Sequence, residues 1–548
     1  MANHRRISII TGIIFLGLLF LLLFPLFSQK GCPEGTGYSN PLFSQKGCPE
    51  GTGYSNPFFH KRGVPKGRSI LTPFLIKGVA TKLTGYLIKS RRRVEEFFPG
   101  TNQEVKVYSI FGKRKGPTLL VFGGIQGDEP GGYLAADRYV SLNLKKGNLI
   151  VVPRLNLAAI LAQKREGLTG DMNRKFALPK NIQQDPDIKV VNLARDLIAN
   201  ADYILNLHQG SGFYSPIWIN HQRNPLRWGQ CNVIDAFVFD LPNGERLELE
   251  SFAQNVVRRI NSKIQDENYH FLVNNTNTGD KKSLHKEQRK SLTYYALTQK
   301  HKIALGIEVT KKCSSPQAVA YLSIAINSVL KELGIAPEEF PGEDPDSIAE
   351  ELKKNEKFSG LKVKINGCEK LIIPGQNIFL KIGEPLQILN LETEKSRGWY
   401  VNLVNSGSYN ALGQTYWFTK DNKLLIHKDG KLIASFEIMP RSYLLGSLEV
   451  NLDGRVCRFH NQETILLPKN GRLRILKVYP EKDKNKVKVN LKGFIGNKGY
   501  NDGEDSGYVI SADDLIPKYA LDYPENTFYR IEISEQGNLV GEVFLKLT

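Results

Sequence analysis

Four short apolar runs, Thr118–Phe122, Asn148–Val152, Tyr203–Leu207 and Ile303–Val309, are bounded by turn residues and read as buried strands. Between and after them, apolar positions recur at helical spacing over Gly132–Ser141, Val190–Ala199, Leu247–Ile264 and Gln317–Leu333. This alternation predicts an α/β domain with a mixed sheet over residues 70–345. Beyond a short charged helix ending near Lys357 the period changes. Leu361–Ile365, Leu371–Ile373 and Leu424–Ile426 have strand length, and Asn366-Gly and Asp429-Gly supply turns between them. Residues 355–450 therefore read as one small all-β domain. Arg472–Val478, Val487–Leu491 and Tyr529–Ile533 mark a second, sandwich-like (immunoglobulin-like) one over 451–548.

The N-terminus has a different pattern. Residues 1–6 include Arg5 and Arg6, and the uncharged segment Ile7–Phe27 follows. At about 1.5 Å per residue this segment spans a bilayer core of about 30 Å. Arginines before it predict a cytoplasmic start and an outward-facing remainder. The expectation is a single-pass transmembrane anchor. The alternative is a cleaved signal peptide, against which no small-x-small site follows the apolar run. Pro25–Asn40 is repeated without change at Pro41–Asn56; rich in Gly, Pro and Ser, residues 28–69 read as a flexible linker.

The formal net charge of +19 favours an anionic partner, such as a membrane surface or an acidic cell-wall polymer. Nucleic acid is disfavoured, since no helix-turn-helix, finger or RNA-binding signature is present. The six cysteines form no C-x-x-C pair and are too sparse for a disulfide scaffold.

Polar groups capable of chemistry cluster at the ends of the expected strands. Gly123–Gly132 (GGIQGDEPGG) carries Gln126 and Glu129 three residues apart, and Arg154 follows the second run. His208 enters the glycine-rich LHQGSGFYSP, and Glu308 lies within the apolar GIEVTK. Between them Arg165–Phe176 holds Asp171, Asn173 and Arg174. Each has an ordinary reading. Glu129 before Pro130 suits a helix N-terminus, Gln126 a loop hydrogen bond, His208 a satisfied histidine, Glu308 a buried ion pair and Arg174 a surface arginine. His285 and Lys286–Lys290 read more readily as a solvated helix face than as a substrate contact. Order and spacing together set the group apart.

That order resembles the zinc carboxypeptidases of the carboxypeptidase A and aspartoacylase superfamily: H-x-x-E, an Asn-Arg pair, a distant His and a late Glu. Here Gln126 stands in place of the first His. The phrases GGIQGDEPGG, GDMNRKF, LHQGSGFYSP, RNPLRWGQ, HKEQRKSLTYYAL and GIEVTK narrow the resemblance to the peptidoglycan DL-carboxypeptidases that control helical cell shape, in which Gln replaces that His. The resemblance implies an α/β zinc-carboxypeptidase-like domain followed by two β domains. It also implies one Zn2+ held by Gln126, Glu129 and His208, with Glu308 as general base. Arg165, or Arg154, would steady the developing oxyanion, a role worth about 3 kcal/mol for one good donor. Arg154, Asn173, Arg174 and Tyr294 would contact the substrate.

The implied reaction trims peptidoglycan tripeptide stems at the γ-D-Glu–meso-diaminopimelate bond. It requires a catalytic domain in the periplasm, either tethered to the inner membrane or released into it. Two competing readings are a metal-free cell-wall binding protein and an aspartoacylase-like hydrolase of small N-acyl amino acids.

Overall fold

The computed structural model describes residues 91–406, 409–479, 487–496, 500, 502–522 and 524–548, all within a unit beginning at Thr84. The expected anchor, the linker, Cys32 and Cys48 lie outside the described residues. Among those described, no helix is long and apolar enough to cross a membrane.

The apolar runs pair into one large mixed sheet. Its strands are β1 (Arg91–Phe97), β2 (Val105–Phe111), β3 (Arg114–Phe122), β4 (Leu144–Val152), β5 (Tyr203–Gly210), β6 (Cys231–Ile234), β7 (Leu272–Asn275) and β8 (Ile303–Thr310). They lie in the order β1-β2-β4-β3-β5-β8-β6-β7, and Ala336–Pro337 adds a short strand against β4. The central strands β4, β3, β5 and β8 run parallel, whereas β1, β2 and β6 join antiparallel. Parallel strands covered on both faces explain why these runs are nearly continuous in apolar residues.

Among the described residues, seven α-helices flank or follow the sheet: α1 (Pro130–Asp137), α2 (Leu157–Ala162), α3 (Ile188–Ala199), α4 (Leu249–Asn261), α5 (Leu292–Lys300), α6 (Ser315–Glu332) and α7 (Pro345–Asn355). The two-residue period of the strands divides the core. Leu119, Val121, Leu205, Leu207, Leu305 and Ile307 pack with residues of α1, α4 and α6, whereas Leu120, Phe122, Ile204 and Ala304 pack with residues of α3 and α5. Ile348 of α7 joins the first cluster, so this helix belongs to the catalytic body rather than to a linker.

Two β domains follow, each made of two four-stranded sheets around its own core. The expected Asn366-Gly and Asp429-Gly turns both have positive φ at each residue, as a two-residue hairpin demands. The boundary expected between residues 450 and 451 falls inside a strand, Ser447–Leu452, which pairs with Arg455–His460 and Leu473–Tyr479 and so belongs to the last domain.

Leu207 is 1% exposed in the first cluster. Leu207→Ala is expected to destabilise the chain by about 2–5 kcal/mol, measured as a fall in the denaturation midpoint at unchanged slope.

Candidate active site

The site grows from the sheet register. β5 and β8 are parallel neighbours with Glu308 opposite His208, and β6 sets Cys231 on the other side of Glu308. Ile204 and Ala304 lie in the α3/α5 core, so two-residue alternation continues that face through Asn206 and Gly306 to His208 and Glu308 at the strand ends. The apolar face thus turns polar at the carboxyl edge, where α/β sheets present ligands.

Gln126 and Glu129 come from the turn between β3 and α1. Pro130 occupies the first position of α1, where its missing N–H costs nothing. Glu129 is the residue before that helix but makes no side-chain cap bond. Its Oε2 instead lies 2.8 Å from His208 Nδ1 and accepts from the Gln209 amide at 3.0 Å. Gln209 in turn accepts from the Gly131 amide through its side chain at 2.6 Å. The ordinary helix-end reading of Glu129 therefore gives way to one that joins two strand ends. Gly127, next to Gln126, passes so close to α2 that an added Cβ would stand 2.0 Å from the Ala159 carbonyl oxygen.

Asp171 organises the other side. It accepts both bonds of the Gln126 side-chain nitrogen at 3.1 Å, the Nε–H of Arg165 at 3.1 Å and the Asn173 amide at 2.9 Å. With its NH2 spent on Asp171, Gln126 leaves its carbonyl oxygen as the donor available to a cation. Arg165 also reaches Glu129 at 3.4 Å, while 41% of its side chain stays open to solvent. Asn173 Oδ1 accepts from the Leu292 amide at 3.0 Å, fixing the start of α5, and Arg174 donates to the Asn173 carbonyl at 3.0 Å. Arg174 then lines a cavity of about 410 Å³ with Trp228 and residues 282–288. His285 stacks edge-on against Trp228 with centroids 5.1 Å apart. The 286–290 run expected as a solvated helix face is a short 3₁₀ turn whose residues 286–288 contribute to that cavity.

One expected contact falls differently. Arg154 is 7% exposed and holds Asp429 with Nε at 2.5 Å and Nη2 at 3.1 Å, and Asp137 with Nη1 at 2.8 Å. A guanidinium enclosed by two carboxylates of its own chain has no face left for a substrate. The expectation for Arg154 as substrate contact or oxyanion donor is corrected accordingly. Tyr294 stands in the first turn of α5 with its hydroxyl beside Gly279.

Burial works against charge on Glu308, and nearby Glu129 adds to this; His208, Arg165 and Lys311 oppose it, and the pKa is pushed up to about 7. For His208 burial favours the neutral ring, but Glu129 and Glu308 outweigh it and raise its pKa. Gln126, Glu129 and His208 are 1%, 3% and 5% exposed. A neutral oxygen, a carboxylate and an imidazole nitrogen match the donor set of a catalytic zinc site with one position open. Among the described residues no three His, Cys, Asp or Glu side chains cluster to hold a metal ion.

A half-buried carboxylate beside an arginine, with an Asn-Arg pair opening onto a cavity, is an arrangement suited to a carboxypeptidase, a peptide hydrolase acting at a free C-terminus. Residues 102–350 match the family described as the catalytic domain of carboxypeptidases controlling helical cell shape. Solved structures of the cell shape determinant Csd4 from Helicobacter pylori are similar over most of the chain. The apo form is 26% identical, covering 79% of this chain and 96% of that one, with a TM-score of 0.50. The mDAP-bound form, described as a D,L-carboxypeptidase, is 25% identical over 79% and 97%, with a TM-score of 0.50. The tripeptide-bound form is 25% identical over 84% and 100%, also at 0.50. No curated protein matches the chain significantly.

The raised Glu308 pKa has a signed consequence for the metal-free protein. From pH 4.5 to about 7 the unfolded chain loses this proton while the folded chain keeps it, so the Glu308 contribution to stability falls as pH rises through that window. Glu308→Gln is expected to raise the Tm of chelator-treated protein at pH 8, with the gain vanishing near pH 4.5. An equal gain at both pH values would contradict this.

Proposed function

We propose that this chain is a zinc-dependent DL-carboxypeptidase that trims peptidoglycan tripeptide stems at the γ-D-Glu–meso-diaminopimelate bond and thereby influences cell shape. The observation that carries the reading is Glu308, a half-buried carboxylate with a raised pKa, placed by strand register beside His208 and Glu129. The similarity to Csd4 with mDAP and with tripeptide bound supports the substrate class.

Gln126, Glu129 and His208 are the residues that would hold the zinc ion, which when bound supplies Lewis-acid polarisation of the scissile carbonyl and a water acidic near neutral pH. Arg174 and the Asn173 amide nitrogen take the terminal carboxylate of the substrate, the guanidinium in a charge-assisted pair. Asn173 has a second duty, since its oxygen fixes the start of α5. Arg165, already reaching toward Glu129, supplies a donor for negative charge on the carbonyl oxygen, worth about 3 kcal/mol. Glu308 takes the proton of the attacking water at a carboxylate oxygen and delivers it to the departing amine. The cavity beside Arg174 holds the leaving diaminopimelate. We place the enzyme in the periplasm on an anchor at residues 7–27, a placement that rests on the apolar pattern of the sequence.

Incubation of the full chain with L-Ala-γ-D-Glu-meso-diaminopimelate is expected to release diaminopimelate in a chelator-sensitive way. Glu308→Ala should lower kcat by about 100-fold or more. A divalent cation near Glu308 favours its charged form, so the acidic limb of the zinc-loaded pH profile should lie below 7. Absence of release from zinc-loaded protein would favour the metal-free binding reading, and chelator-insensitive release would refute the metalloenzyme.

A further inference from the structure

We propose that the Asp429-Gly430 turn of the second domain is a positioning element of the active site, acting through Arg154 and α2 on the segments that carry Gln126 and Arg165. The inference rests on the carboxypeptidase reading for its assay but on separate geometry for its argument.

The turn is buried where a hairpin tip is normally solvated. Asp429 is 7% exposed and Lys428 6%. Asp429 takes a bidentate pair from Arg154 and a bond from Lys428 Nζ at 2.5 Å, while its amide donates to the Gly398 carbonyl at 2.8 Å. Arg397, from the same domain, joins Arg154 on Asp137 at 3.0 Å. Three cations and two carboxylates are thus enclosed between the domains, an arrangement costly to form and costlier to break at one member.

Both carboxylate ends of this clamp lead to the site. Asp137 closes α1, the helix that Glu129 begins. The two residues after Arg154 pin the turn before Gln126: the Leu155 amide donates to Gly123 at 3.0 Å and the Asn156 amide to Gly124 at 2.9 Å. The Asn156 side chain donates to Ile125 at 3.2 Å. Gly430, at φ +83°, lies against the end of α2, where an added Cβ would meet the Ile160 carbonyl oxygen at 2.3 Å. Just past that helix end, the Lys164 carbonyl accepts from the Gly127 amide at 2.9 Å, and Arg165 follows. The second domain therefore presses on both supports of the Gln126 turn.

The test uses the full chain, assayed well below each variant's Tm. Asp429→Asn and Gly430→Ala are expected to lower kcat on the tripeptide by about 10- to 100-fold, with KM changed less. Arg397→Lys, which keeps its charge and should fold if the others do not, is expected to show a smaller loss in the same direction. Zinc affinity from competition with a chelator should weaken in parallel, and it reads the site even if turnover is absent. Asn377→Ala removes the side-chain bond to Glu542 at the remote junction between the two β domains, leaving the amide bond in place. It is expected to lower Tm while leaving kcat and zinc affinity unchanged. Wild-type kcat and zinc affinity in the folded clamp variants, or an equal kcat loss in Asn377→Ala, would overturn the proposal. A wild-type chain that binds zinc but releases no diaminopimelate would instead refute the carboxypeptidase reading, with zinc affinity of the variants still deciding this one.

Discussion

Everything at the site depends on how β5 meets β8. Because Glu308 lies opposite His208 in a parallel pair, the proposed base and the imidazole proposed to bind metal rise from one sheet face at one edge. A slip of one residue would turn both side chains into the opposite apolar core and bring Leu207 or Ile307 to the edge. The cores prevent that slip. Leu205, Leu207, Leu305 and Ile307 fill one side, and Ile204 and Ala304 the other. Catalytic geometry here is a by-product of packing on both faces of the sheet.

The chemistry also needs charges where burial disfavours them, and each is offset by an identifiable partner. Asp171 bonds Gln126 and Arg165 together, so it turns the amide and neutralises the guanidinium in one step. Glu129 is shared among His208, Gln209 and Arg165. Farther down the same loop, buried Lys175 binds Asp185 at 3.0 Å and Asp187 at 2.7 Å, tying the Asn173-Arg174 segment to the start of α3. These shared bonds restrain Asp171, Glu129 and Lys175, since moving any one of them leaves a partner charge unpaired.

The central strands were legible because a strand buried on both faces must be apolar throughout. β1 was not, since it is an edge strand on which Arg92, Arg93 and Glu96 are exposed. β6 and β7 were too short and too rich in Asn to stand out. Gln126, Glu129, His208 and Glu308 were legible as a set, through order and spacing. Arg154 was misread because Asp429 lies 275 residues away, and no local pattern signals a partner at that distance. Residues 286–290 keep Lys286, Glu287 and Lys290 exposed, as a run of charges implies, while residues 286–288 also line the cavity beside Arg174 and Trp228.

The same separation in sequence bears on how the molecule is made. A ribosome adds about 5–20 residues per second, so roughly 15–55 s pass between the synthesis of Arg154 and that of Asp429. During that interval the α/β body can collapse around its apolar strands, yet Arg154 still lacks its bidentate carboxylate and faces only Asp137. A nascent chain stalled or clipped before residue 429 would carry every catalytic side chain and still leave a buried cation half-neutralised. Quality control by proteases would meet such a fragment with its second domain's docking surface exposed, before the hairpin arrives to cover it.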